Sequence, residues 1–122
     1  MAVNVLIVDD LAFIKIVLRE ILEKAGFRVV GEASNGEQAI AMYQDKKPDV
    51  VLMDITMPGM DGLTALKRIR EIDQGARVII CSALGQQQLI VQAIQLGATD
   101  YIVKPFQPQR VVSSLKKALD IS

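Results

Sequence analysis

The chain has 122 residues, 51% of them apolar and 23% charged, which fits one domain with a buried core and excludes collagen-like, disordered and two-domain organisations. Fourteen Lys and Arg against fourteen Asp and Glu leave zero formal charge, so no basic field exists to gather nucleic acid or an anionic membrane surface. One cysteine and no histidine exclude an internal disulfide, a Cys-based zinc cage and every His-dependent triad, metal site or acid/base step, so any chemistry falls to carboxylates, hydroxyls and lysine.

The first element is the apolar run VLIV, Val5 to Val8, which continues into the acidic pair Asp9 and Asp10. Leu11, Ile14, Leu18, Ile21, Leu22 and Ala25 then share one helical stripe, stopped by Gly26. Val29 to Ala33 is more polar and reads as an edge strand; SNGEQAIAMYQDKK follows as a second helix, capped by Asn35 or Ser34 and closed before Pro48. Val50 to Met53 forms the third strand, ahead of Asp54, the turn MPGMDG and a third helix over LTALKRIREI, with Asp61 read as a cap. The fourth strand is Val78 to Cys81, where Cys81 is a core thiol, and the fourth helix runs roughly from Gln86 to Leu96. Tyr101 to Val103 is the last strand, and a fifth helix starts with Pro108 in its first turn and reaches about Ile121. Continuous rather than alternating apolarity marks strands covered on both faces. Five βα units therefore predict an α/β domain over residues 1–122, a parallel sheet with right-handed crossovers and helices on both sides.

In open α/β sheets, ligands bind beyond the carboxyl ends of the strands. Strand 1 ends in Asp9 and Asp10, strand 3 in Asp54, strand 4 in Ser82 and strand 5 in Lys104, whereas strand 2 ends in Ala33 and Ser34. Any one of these could be a cap or a surface charge; coincidence at four strand ends points to a site. Three carboxylates and one ammonium sum to about −2, which a divalent cation offsets, and an all-oxygen donor set with few carboxylates suits Mg²⁺ better than Ca²⁺ or Zn²⁺. A hard cation, a lysine and a hydroxyl around a carboxylate are the parts of phosphoryl transfer, with Asp54 as the nucleophile. Neither GxxxxGK[ST] nor GxGxxG occurs, so the phosphoryl group is expected on the protein itself rather than on a cradled nucleotide.

VLIVDD, LMDITMPGMDG, ICSA and DYIVKPF, in this order and across nearly the whole chain, resemble the receiver domains of bacterial two-component response regulators. More narrowly, MDITMP, CSALGQQ and DYIVKPFQP resemble the chemotaxis receivers of Gram-positive and thermophilic bacteria. The resemblance implies the doubly wound flavodoxin-like (βα)5 fold with strand order 2-1-3-4-5, an order already known for receivers. It also implies Asp54 as phosphoacceptor, Mg²⁺ on Asp9, Asp10, Asp54 and the backbone carbonyl of Thr56, and Ser82 and Lys104 on the phosphoryl oxygens. Ser82 and Tyr101 match the switch positions, and Lys104-Pro105 matches a peptide bond that is commonly cis. Leu11 and Gly59 depart from the pattern, where relatives often carry a smaller residue and a Glu; neither touches the phosphorylation chemistry.

The function this implies is a cytoplasmic, monomeric, phosphorylation-activated switch that promotes its own Mg²⁺-dependent phosphorylation and dephosphorylation rather than acting as a metabolic enzyme. Its partners are a CheA-like sensor histidine kinase and a flagellar motor switch protein or phosphatase, with no DNA and no membrane. No output domain is expected after the fifth helix. The alternatives are a sporulation-type phosphorelay carrier, a Mg²⁺-dependent small-molecule phosphohydrolase, and an unmodified interaction module, against which the intact acidic and Ser–Lys set argues. Phe13 and Ile16 lie about 60° apart on helix 1, off its core stripe, and are candidates for partner docking. The 22 residues Val78 to Thr99 carry no charge where about five charged residues are expected. Within them Gln88, Gln92 and Gln95 are candidates for an uncharged partner surface that desolvates cheaply. Thr56 and Leu84, two places after Asp54 and Ser82, flank the expected path of attacking water, and neither offers a carboxylate or amide to orient it.

Overall fold

The computed structural model describes residues 2–121, so Met1 and Ser122, the ends of the expected 1–122 domain, lie outside it. Ten elements alternate along the chain: β1 Asn4–Val8, α1 Ala12–Lys24, β2 Arg28–Ala33, α2 Gly36–Lys46, β3 Val50–Asp54, α3 Gly62–Ile72, β4 Val78–Ser82, α4 Gln87–Gln95, β5 Asp100–Val103 and α5 Pro108–Ala118. The strands form one sheet in the order β2-β1-β3-β4-β5, and every neighbouring pair is parallel.

The reason the central strands read as unbroken apolar runs is visible in how their side chains divide. Leu6, Val8, Val51, Met53, Val78 and Ile80 pack with Ala39, Tyr43, Ala65, Leu66, Ile69 and Ala93 from α2, α3 and α4. Their neighbours Val5, Ile7, Val50, Leu52, Ile79 and Cys81 turn the other way, onto Leu18 and Leu22 of α1 and Val111 and Leu115 of α5. Alternate residues thus feed two cores, as a strand's two-residue period requires. Cys81 is a buried core thiol, its pKa pushed up to about 12 by burial, which leaves it inert at neutral pH. β2 is the edge strand its polarity suggested, and its register against β1 slips by one residue between Val5 and Leu6, a bulge suited to an edge.

Helix ends follow local chemistry. Asn35 accepts from the Gln38 N–H at 2.9 Å and Asp61 accepts from the Thr64 N–H at 2.8 Å, so both are the expected N-caps. Three expectations shift. Leu11 precedes α1 as its cap residue and is exposed rather than part of the core stripe, and Ala25, after the last turn, is exposed as well. α5 stops at Ala118, with Asp120 at a left-handed φ of 55°, short of Ile121. Asp54 and Ser82 end their strands as expected, whereas Asp9, Asp10 and Lys104 lie just beyond theirs, which stop at Val8 and Val103. Among the described residues, no helix is long and apolar enough to cross a membrane.

Candidate functional site

Because the strands are parallel, the carboxyl ends of β1, β3, β4 and β5 lie on one rim, and this rim gathers the five polar residues singled out by the sequence. The Asp9 N–H continues the ladder to the Ala33 carbonyl at 3.0 Å, which carries its side chain beneath the surface. Asp9 is 1% exposed and Asp54 is 6% exposed, whereas Asp10 faces solvent. Carboxylate oxygens of Asp9, Asp10 and Asp54 all lie within 4.8 Å of one another. Such a cluster of oxygen donors, partly open to solvent, fits a hard divalent cation that keeps some of its water.

Lys104 enters from the end of β5 with its ammonium 3.1 Å from Asp9 Oδ2 and 3.4 Å from Asp54 Oδ2. Burial opposes its charge, but Asp54 and Asp9 outweigh that penalty and hold its pKa above the ordinary lysine value. Asp54 is displaced upward, first by burial, with Asp9 adding repulsion while Lys104 and the Thr56 N–H pull the other way. A buried carboxylate under this tension is an anion that gains from any further positive charge beside it.

Ser82 is fully buried, and its hydroxyl has no hydrogen-bond partner among the described residues. An orphaned buried hydroxyl costs stability in this conformation and so favours a state that gives it a partner, and it sits one strand away from Asp54. Gly62 keeps the other wall close: a Cβ there would overlap the Asp54 carbonyl oxygen and the Ile55 backbone, so only glycine lets the start of α3 rest against the end of β3. Lys104-Pro105 is cis, as the family resemblance implied.

The remaining candidates lie on the flanks. Phe13 and Ile16 are 72% and 58% exposed on α1. Gln88, Gln92 and Gln95 are exposed on α4, but that surface is less polar than the glutamines suggested, because Val91 and Ile94 are exposed among them. Tyr101 is 39% exposed and, with Leu84, Gln87, Ile90, Val91 and Val103, lines a cleft of about 440 Å³. The sequence reading missed Gln86, whose side chain joins two loops at the rim: its Oε1 accepts from the Ala83 N–H at 2.7 Å and its Nε2 donates to Thr56 Oγ1 at 2.8 Å. Nothing in its local pattern signals a bond to a residue thirty positions away.

An acidic pocket with a lysine and a buried hydroxyl at the carboxyl edge of a 2-1-3-4-5 sheet defines a phosphoryl-accepting signalling domain rather than a nucleotide-binding one. Residues 5–116 match the response regulator receiver domain, and the chain belongs to that family. It is 56% identical over 120 residues to the chemotaxis protein CheY of Bacillus subtilis, spanning 98% of this chain and 100% of that protein. It is 55% identical over 117 residues to the chemotaxis protein CheY of Thermotoga maritima, spanning 96% and 98%. Among solved structures, the CheX-CheY-BeF3-Mg+2 complex from Borrelia burgdorferi contains a chain that superposes with a TM-score of 0.90 at 42% identity, covering 94% of this chain and 87% of that one. The protein is thus a receiver of the CheY type, a phosphorylation-activated switch of two-component signalling.

Proposed function

We propose that Asp54 accepts a phosphoryl group from the phosphohistidine of a chemotaxis sensor kinase and that the modified domain acts on the flagellar motor switch. The observation that carries this reading is the convergence of Asp9, Asp10 and Asp54 with Lys104 bridging two of them. In the transfer, the donor P–N bond breaks as an Asp54 carboxylate oxygen bonds to phosphorus, and the freed imidazole nitrogen takes a proton from solvent. In hydrolysis, a water oxygen bonds to phosphorus and gives up a proton to solvent, the bond from phosphorus to the Asp54 oxygen breaks, Asp54 leaves as carboxylate and inorganic phosphate departs.

Asp9, Asp10, Asp54 and the Thr56 carbonyl are the groups that would hold Mg²⁺. When bound, it supplies positive charge against the three carboxylates and the incoming phosphoryl oxygens. Lys104, already oriented by Asp9, donates to a phosphoryl oxygen, and the Ser82 hydroxyl gains in the phosphorylated state the partner it otherwise lacks. Phe13 and Ile16, exposed one to two turns from the acidic pair, form the docking patch for the kinase or a phosphatase. Their replacement by Ala should slow transfer from the kinase and spare acetyl phosphate. The chemotaxis reading is preferred to a sporulation-type carrier because the relatives at 55–56% identity bear that name.

The test is intact-protein mass after incubation with acetyl phosphate. One acid-labile phosphoryl group should appear with Mg²⁺, vanish with EDTA and be absent from Asp54→Asn. Undiminished labelling of Asp54→Asn would reject the assignment.

A further inference from the structure

We infer that Gln86 is a positioning residue, a latch that holds the loop after β4 to the loop after β3 and sets how readily Ser82 can move toward a phosphorylated Asp54. The inference rests on the reading of Asp54 and Ser82 given above. The physical chain is short. Asp54 Oδ1 accepts from the Thr56 N–H at 3.4 Å, Thr56 Oγ1 accepts from Gln86 Nε2 at 2.8 Å, and Gln86 Oε1 accepts from the N–H of Ala83, next to Ser82, at 2.7 Å. One amide therefore links the residue that follows the phosphoacceptor by two places to the residue that follows the switch hydroxyl by one. Movement of Ser82 carries Ala83 with it and must break or stretch one of the two bonds.

One of the two bonds is local. Gln86 Oε1 turns back three residues to the Ala83 N–H within the loop ahead of α4, much as Gln38 Oε1 turns back to the Ser34 N–H at 2.8 Å ahead of α2. The bond to Thr56 is not local. It crosses from the residue before α4 to a loop thirty residues earlier, and Gln86, only partly exposed, has both ends of its amide bonded to protein groups. The Ser82 hydroxyl meanwhile has no partner among the described residues. The resting state thus combines a satisfied Gln86 with an unsatisfied Ser82, and the switched state exchanges the one for the other. An uncharged amide gives the latch modest strength, so it tunes the equilibrium without locking it. It also brings an amide to Thr56, a position where the sequence offers none.

The local bond and the latch bond separate at Thr56. Thr56→Val removes the acceptor for Nε2, keeps the side chain's shape and leaves the Gln86–Ala83 bond in place. The experiment is a double-mutant cycle of Thr56→Val and Gln86→Ala in the full chain, read as the beryllofluoride concentration, with Mg²⁺, that half-converts the Ala83 amide resonance. Each single variant should need about 2- to 10-fold less beryllofluoride, the equivalent of one net hydrogen bond, and the double variant no less than the better single. Unchanged or weaker binding in Thr56→Val, or effects that multiply, would overturn the latch. A wild-type protein that does not bind beryllofluoride, or binds it equally well as Asp54→Asn, would instead overturn the reading of the site on which the latch depends.

Discussion

The backbone N–H of Lys104 donates to the carbonyl of Ser82 at 2.7 Å, so the ammonium and the hydroxyl assigned to the phosphoryl oxygens come from residues fixed to one another by the β4–β5 ladder. Lys104 is also the countercharge of two buried carboxylates. Its replacement should have opposite effects on two measurable quantities. Lys104→Met leaves Asp9 and Asp54 unneutralised, so the metal-free protein should lose roughly 2–3 kcal/mol, toward the low end for a broken buried pair because the lysine side chain is 20% exposed. The same change removes a positive charge beside the acidic cluster, so Mg²⁺ should bind roughly tenfold more tightly. Thermal melts with and without Mg²⁺ check both: a lower metal-free melting temperature, and a larger rise on adding metal than in the wild type. A metal response equal to that of the wild type would remove Lys104 from the electrostatics of the site.

Asp9 and Asp10 are adjacent in sequence and different in kind. Asp9 is buried and accepts from the Leu11 N–H at 2.9 Å, setting the entry into α1, while Asp10 is exposed. Asp10→Ala should leave metal-free stability within about 0.5 kcal/mol and lower Mg²⁺ affinity at least tenfold. Asp9→Ala should lower Mg²⁺ affinity and also speed amide exchange in the first turn of α1, since it takes an acceptor from the residue before that helix. Calorimetric Mg²⁺ titration together with hydrogen exchange separates the two; a stability loss in Asp10→Ala as large as that in Asp9→Ala would make Asp10 structural.

The sequence carried the parts of the fold that burial dictates. VLIV, VVLM and VIIC are continuous because each strand serves two cores, and the acidic, hydroxyl and ammonium side chains stand immediately after such runs because the rim is where polar groups regain access to solvent and ligand. Asn35 and Asp61 were legible as caps from three-residue chemistry. What escaped notice has no local signature. Gln86 looks like one more glutamine in a run, and its bond to Thr56 depends on two loops brought together by the sheet. Tyr43 donates to Asp73 across α2 and α3, and Ser114 donates to Asp100 across α5 and β5, again with no periodicity to mark them. Leu11 and Ala25 were misjudged for a related reason. Helical spacing assigns an apolar residue to a stripe, but whether anything covers that stripe is decided by the neighbouring element.

The hydrogen bonds of Asp100 give a pH dependence. Burial raises the Asp100 pKa, but the Ser114 hydroxyl at 2.7 Å, the Arg110 guanidinium and the Tyr101 N–H at 2.8 Å outweigh it and hold it below the ordinary value of 3.8. A carboxyl with a depressed native pKa contributes stability that is complete above the unfolded value and is lost as the pH falls through the native one. The contribution should be about 1 kcal/mol, discounted because the Arg110 side chain is 41% exposed. Urea midpoints of wild type and Asp100→Asn should therefore differ at neutral pH and converge below pH 3.8. A gap that stays constant into acid would mean that the asparagine variant fails through packing and not through charge.

The exposed apolar residues beside the uncharged glutamines of α4 form a surface suited to output. Leu84 is 80% exposed, Val91 and Ile94 are about half exposed, and Tyr101 stands beside the same cleft as Leu84 and Val91. A surface of this kind loses little by desolvation, so a partner helix can pack its apolar face there without leaving charges unpaired. Tyr101 is one residue from Asp100 and belongs to the strand paired with Ser82, so a hydroxyl drawn toward a phosphoryl group disturbs the backbone that positions the ring. Beryllofluoride with Mg²⁺ should therefore shift amide signals from Ser82 to Leu96 and around Tyr101, and should tighten binding of a flagellar switch peptide. Ser82→Ala should weaken that coupling even when Asp54 is fully modified, because the variant has no hydroxyl to bond the phosphoryl group in the switched state. Val91→Lys should weaken the peptide about tenfold while leaving phosphorylation by acetyl phosphate intact, since it alters the cleft and not the acidic pocket. If the mimic shifts only the pocket residues and peptide affinity is the same with and without it, the output surface lies elsewhere on the domain.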